Sequence, residues 1–162
     1  AAESIVFTYS HLYDIDTAVL RFFNVYGPRT RPDMALYKFT EAIVNDKQLI
    51  KYRGMKRDFT YIDDIVDGVI AALDKVQGFE IINLGHSLPV TIEEYIATIE
   101  KNLGKKAKVI EKAPSTIEML ETFADINKAK KLLDYNPKTS IDEGIKKFIE
   151  WYKKISATRR IQ

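Results

Sequence analysis

Residues 17–34 read TAVLRFFNVYGPRTRPDM, in order an apolar strand, a turn and the start of a helix. Residues 17–23 are β-branched and aromatic around one charge, Arg21, the composition of a largely buried strand of parallel type. Residues 24–31 form the turn, punctuated by Gly27-Pro28. Pro32 and Asp33 then open a helix over residues 34–46, with Leu36, Phe39, Thr40 and Ile43 on its inner face. The turn holds Asn24, Gly27, Arg29 and Arg31, so backbone and guanidinium groups are expected to meet an anion there.

Upstream, residues 1–13 have helical periodicity, with Ala2, Ile5, Tyr9 and Leu12 on one face and no N-cap ahead of them. Such a start is expected of a chain cut from something longer, tag removal being the plain alternative. Downstream come a strand at 48–52, a basic loop at 53–57 and a strand at 59–62. Asp63 is placed to cap a helix running to 76, with Ile65, Val66, Val69, Ile70 and Leu73 at helical spacing. Residues 79–84 form a second buried strand. Thr91 and Glu94 make a capping box for a helix that Gly104 stops. A short strand at 108–110, a loop at 113–122 and a helix at 126–133 capped by Asp125 follow. Ser140 and Glu143 make a second capping box for a helix over 141–155, and a tail closes the chain. Strands alternating with helices predict an α/β fold. Five short strands are too few for a complete doubly wound sheet. None of the 7 glycines forms G-x-G-x-x-G, so the chain carries no strand–turn–helix site for a dinucleotide pyrophosphate.

A length of 162 residues suits one domain, or one lobe of a larger enzyme. No apolar run nears the roughly 18 residues that span a bilayer, and no signal-peptide pattern opens the chain. The sequence has no cysteine, which excludes thiolate chemistry and suits a cytoplasmic location. A net charge of +2 with interspersed signs argues against nucleic acid as the partner.

His11 and His86 stand far apart without ligand company, so no metal site is expected. Ser10 and His11 adjoin but face differently on a helix, and no acid orients them. Arg29, Arg31 and Arg57 are the better candidates, because guanidinium forks bind phosphate or carboxylate oxygens bidentately. Ion pairing of Arg31 with Asp33, and of Arg57 with Asp58 or Asp63, explains the same residues equally well by spacing alone. Tyr52 and Phe59 suit base stacking or a core, and the lysine clusters read as solvated faces.

RFFNVYGPRTRPDMA, GMKRDFTYIDDIVDG, INLG and NPKTSIDEGIKKFIEWY together resemble the C-terminal part of an extended short-chain dehydrogenase/reductase. Within that superfamily they are most similar to the NAD-dependent nucleotide-sugar epimerases of UDP-glucuronate 4-epimerase type. The likeness runs from Ala1 to about Tyr152, and rests most on residues 31–35 and 57–64. It implies that residues 1–31 are a remnant of a Rossmann-type NAD-binding domain. Residues 32–155 would be mainly the small α/β lobe that binds a UDP-sugar, and 156–162 a tail.

The resemblance further implies oxidation at C4 by hydride transfer to NAD, then re-reduction from the other face, interconverting UDP-glucuronate and UDP-galacturonate. The glycine-rich turn and the catalytic Tyr-x-x-x-Lys pair would precede Ala1, leaving this chain without catalytic residues and inactive alone. Its partners would be the NAD-binding portion, a UDP-sugar and further copies of itself. Phe22, Phe23 and Val25 would lie near the nicotinamide. Asn24 would meet the diphosphate or the sugar, Arg57 the diphosphate, Ile50 and Tyr52 the uracil, Arg31 a uronate carboxylate and Glu118 the ribose. The chain departs from the family pattern at Thr30 and at Ile117-Glu118, where glycine and Gly-Asp are usual. A stand-alone uridine-nucleotide module, or the matching part of a related epimerase or dehydratase, is the alternative.

Overall fold

The computed structural model describes residues 1–114 and 119–159. Its elements begin with α1 (Ala2–Tyr13), β1 (Thr17–Phe22), β2 (Val25–Tyr26), α2 (Ala35–Val44) and β3 (Gln48–Tyr52). The middle of the chain gives β4 (Lys56–Arg57), β5 (Thr60–Tyr61), α3 (Ile62–Lys75) and β6 (Phe79–Leu84). It finishes with β7 (Val90–Thr91), α4 (Ile92–Leu103), β8 (Lys108–Lys112), α5 (Asn127–Leu133) and α6 (Ile141–Arg159). Among the described residues no helix is long and apolar enough to cross a membrane.

The strands pair two by two. β1 runs parallel to β6, in register from Thr17 opposite Phe79 to Phe22 opposite Leu84. The pairs β2–β5 and β3–β8 are also parallel, and β4–β7 is antiparallel. Two hydrophobic cores result. One gathers Ile65 and Ala72 of α3, Ile82 and Leu84 of β6, and Ala129 and Leu133 of α5. The other joins α2, α4 and α6 through Leu36, Ile43, Ile96, Ile99, Ile145 and Phe148. At its centre Phe59 stacks on Tyr95 with centroids 3.9 Å apart, and Tyr26 meets both rings edge-on.

A buried carboxyl group fastens the two cores together. Asp58 is wholly inaccessible. It accepts N–H bonds from His86 (2.8 Å), Ser87 (3.0 Å) and Ala124 (2.9 Å). Burying a carboxyl group without partners costs several kcal/mol, so these three donors are what make the position tenable. The approach needs Gly85: a Cβ there would stand 2.3 Å from the Ala124 Cβ and 3.0 Å from Asp58 Oδ2.

Several elements depart from their sequence expectation. β1 is half-buried along Thr17–Leu20 and exposed at Arg21 and Phe22, because only one of its edges is paired. Val25–Tyr26, expected as turn, is a strand because it pairs with Thr60–Tyr61. Asp63 caps nothing: α3 starts a residue earlier at Ile62, and Asp63 lies in its first turn. On α3 the inner face is Ile65, Gly68 and Ala72, leaving Val66, Val69, Ile70 and Leu73 outside. Gly27 faces no open space; with φ 148° it packs where a Cβ would come 2.6 Å from Ile62 Cγ2. The closing helix continues past 155 to Arg159. The expected Thr91–Glu94 capping box and the Gly104 stop are present, whereas α5 starts one residue late, so Ile126 takes the N-cap place and Asp125, just before it, accepts the Asn127 N–H.

Asp58→Ala should orphan one buried and two part-buried N–H donors and cost roughly 2–3 kcal/mol, at about 1–3 kcal/mol for each fully buried unsatisfied group and less for the others. An unchanged urea midpoint would rule this out. Tyr95 is the opposite case. Its ring is fully buried while its hydroxyl has no hydrogen-bond partner among the described residues. Tyr95→Phe should therefore be neutral or raise stability by up to about 1 kcal/mol, and a clear loss in thermal unfolding would show that the hydroxyl is bonded.

Candidate functional site

At the C-terminal end of β1 the chain turns at Asn24, whose carbonyl accepts the Thr60 N–H at 3.3 Å. That bond sets β2 beside β5 and leaves the Asn24 side chain at the head of a cleft of about 540 Å³. The far wall is β3. Side chains alternate along a strand, so Ile50 and Tyr52 share the cleft face while Lys51 points away, to Glu93 at 2.9 Å and Glu111 at 3.2 Å. The Glu93 carboxylate, backed by Glu111, holds the Lys51 ammonium above its ordinary value. Arg53 also pairs with Glu111, so Lys51 and Arg53 of the basic loop are neutralised by acids of their own surroundings.

Arg57 differs. It lines the cleft half-buried, and its Nη1 donates to the Lys56 carbonyl at 2.8 Å and the Leu120 carbonyl at 3.2 Å. Among the described residues no carboxylate lies within ion-pair distance of it, and Asp58 is occupied by backbone N–H groups. The ion-pair reading of Arg57 therefore gives way to a cation aimed into a cavity. Two carbonyl contacts fix its direction and leave most of its five donors without a partner among the described residues. Phe39, Met55 and Phe59 make the remaining surface largely apolar, which suits a flat aromatic group beside an anionic one.

The cleft thus brings together four of the expected ligand residues: Asn24, Ile50, Tyr52 and Arg57. It does not include Phe22, Phe23 or Val25. Phe22 is 52% exposed at the end of β1, while Phe23 and Val25 pack on the Ile82–Leu84 core. Arg31 lies outside the lining; its side chain is 75% exposed and its Nη2 stands 3.4 Å from Asp33 Oδ2. Here the ion pair that spacing suggested does form, and an exposed pair of this kind is worth at most about 1 kcal/mol. Glu118 lies outside the described residues.

Lys38 lines the cleft and escaped the sequence reading. Its signal was present: Ala35, Lys38, Phe39 and Ala42 fall at i, i+3, i+4 and i+7, a stripe of α2 next to the buried one, and all four line the cavity. Tyr52 and Lys56 stand at Tyr-x-x-x-Lys spacing, but β3 and β4 belong to different strand pairs, so no helix turn stacks them. NAD fits this chain only in part. β1 leads into β2 instead of a glycine-rich helix start, so among the described residues that strand end presents no helix N-terminus to the pyrophosphate of NAD. The exposed Phe22 ring there suits an apolar wall against the nicotinamide.

The model of the NAD dependent epimerase/dehydratase family matches residues 1–85. UDP-glucuronate 4-epimerase of Thermodesulfobacterium geofontis is 47% identical over 156 residues, covering 94% of this chain and 48% of that protein. Among solved structures, UDP-glucuronic acid 4-epimerase from Bacillus cereus, in complex with UDP-glucuronic acid and NAD, is 36% identical with a TM-score of 0.87. It covers 94% of this chain and 50% of its own. UDP-glucose 4-epimerase from Thermotoga maritima, with UDP-glucose, is 27% identical with a TM-score of 0.88, covering 95% of this chain and 51% of its own. The chain spans about half the length of the relatives it matches. With two parallel strands joined by a helical crossover, and a match across more than half its residues, this chain belongs to the NAD dependent epimerase/dehydratase family.

Proposed function

We propose that this chain is the nucleotide-sugar-binding half of an NAD-dependent UDP-sugar 4-epimerase acting on UDP-glucuronate and UDP-galacturonate. The carrying observation is the cleft that unites Arg57, which has no carboxylate partner among the described residues, with Asn24 and the Ile50–Tyr52 face. Similar proteins that bear the UDP-glucuronate 4-epimerase name, one of them solved with UDP-glucuronic acid and NAD, support the substrate class.

In this reading NAD, when bound, would supply the hydride acceptor and donor for chemistry at C4 of the sugar. The task of these residues is to hold the nucleotide while the sugar turns over. Arg57 and the Asn24 amide meet the diphosphate, with Lys38 adding positive potential from α2. Ile50 and Tyr52 flank the uracil, and Glu118 meets the ribose. All of these contacts lie away from the reacting carbon, so holding them fixed does not oppose rotation of the sugar. Arg31 exchanges its weak partner Asp33 for the uronate carboxylate, which selects glucuronate over glucose. Phe22, Phe23 and Val25 belong to the nicotinamide side.

Residues 1–31 fall to the NAD-binding side and 32–155 mainly to the UDP-sugar side. β6, α3 and α5 join the former through their shared core. The open edge of β1, the exposed Ile5, Tyr9 and Leu12 of α1, and Val69 and Ile70 of α3 are docking surface for the NAD-binding portion. Apolar surface on this scale disfavours a stand-alone module. Assembly with further copies remains part of the same proposal.

Calorimetric titration with UDP should register binding, and Arg57→Ala should weaken it about 10- to 100-fold, the worth of a charge-assisted contact of roughly 1.5–3 kcal/mol. Equal affinities would remove Arg57 from the site. Wild type should also prefer UDP-glucuronate over UDP-glucose, and Arg31→Ala should erase most of that difference. An undiminished preference would assign selectivity elsewhere.

A further inference from the structure

Residues 119–124 run as a strap along β4. Lys56 N–H donates to the Leu120 carbonyl at 2.7 Å, and Thr122 N–H donates to the Lys56 carbonyl at 3.2 Å. Either side of this pair the strap touches both polar arms of the cleft. The Leu120 carbonyl accepts from Arg57 Nη1, as described above. The Thr122 hydroxyl donates to Asn24 Oδ1 at 3.4 Å while its oxygen accepts the Asp58 N–H at 3.3 Å.

The second contact has a definite chemical consequence. An asparagine amide turns easily about its last torsion and can present either its oxygen or its NH₂ to a ligand. A diphosphate offers only acceptors, so an inward carbonyl oxygen would repel it and an inward NH₂ would bind it. Thr122 spends its single proton on the Asn24 oxygen, because its own oxygen already faces the Asp58 donor. The amide is thereby held with its oxygen toward the strap, and its NH₂ meets no acceptor among the described residues.

The geometry points to Thr122 as a positioning residue that sets the Asn24 amide as a donor toward an anionic ligand such as a nucleoside diphosphate. This rests on the reading of the cleft as a UDP-sugar site. Thr122 is absent from the cleft lining and acts only through Asn24. Nearly isosteric Thr122→Val removes the hydroxyl, and Thr122→Ser keeps it.

Thr122→Val should weaken UDP binding about fivefold, the value of one ordinary hydrogen bond, and Thr122→Ser should bind like wild type. In an Asn24→Ala background Thr122→Val should cause no further loss. An equal loss in both backgrounds would show a general structural role and overturn the proposal, as would unchanged affinity of Thr122→Val. A second readout needs no ligand. The Asn24 side-chain amide signals, assigned by their disappearance in Asn24→Ala, should shift in the ¹⁵N spectrum of Thr122→Val and stay in place in Thr122→Ser. Unmoved signals in Thr122→Val would also overturn the proposal. If wild type fails to bind UDP while those signals do shift, the substrate assignment falls and the positioning role stands.

Discussion

The structure depends on one carboxyl group out of reach of solvent. Asp58 gathers N–H bonds from the loop after β6 and from the strap before α5, while its own N–H goes to Thr122. These segments lie far apart in sequence, and the carboxyl group ties together what the Lys56–strap hydrogen bonds and the Leu84–Ala124 core bring near. Backbone donors aimed at a buried anion form a strong, directional junction. Both cores meet there, so the relative placement of the β1–β6 sheet and the α2–α4–α6 lobe follows from it.

The cleft inherits its shape from that junction. In the run Lys56-Arg57-Asp58, successive side chains alternate: Asp58 turns into the protein, and Arg57 turns toward the cavity. A shift of one residue in this short segment would bury a guanidinium and expose the carboxyl group. The strap that supplies Ala124 to Asp58 also supplies Leu120 to Arg57 and Thr122 to Asn24. Stability and ligand geometry are therefore set by the same few hydrogen bonds, and a change in one is felt in the other.

Much of this was legible in the sequence. Hydrophobic periodicity located the helices and main strands, and the family resemblance pointed to Ile50 and Tyr52, which the two-residue period of β3 sets on one face. The Thr91–Glu94 box and Gly104 follow local rules that tertiary context did not override. What escaped notice shares a physical cause. Asp58 looked like a salt-bridge partner for Arg57 because its real partners are backbone groups, which leave no mark in the sequence. Thr122 belonged to a stretch with no regular pattern, and its role comes only from what lies beside it. Gly27 suggested a ligand approach, whereas its tight neighbour is Ile62. Lys38 gives little signal because it lies beside the buried stripe of α2, on a partly exposed stripe that lines the cleft.

The pairing of Thr17 with Phe79 and of Gln48 with Lys108 means that strand partners are separated by about 60 residues of chain. Such contacts close large loops before they return any enthalpy, so they form late and together. The cleft walls come from β3 and from residues fixed by the Asp58 junction, and both depend on those late contacts. A chain lacking those contacts has not assembled the cleft walls. A ligand of the proposed site would bind the folded chain in preference to the unfolded one and so, by mass action, would raise its stability.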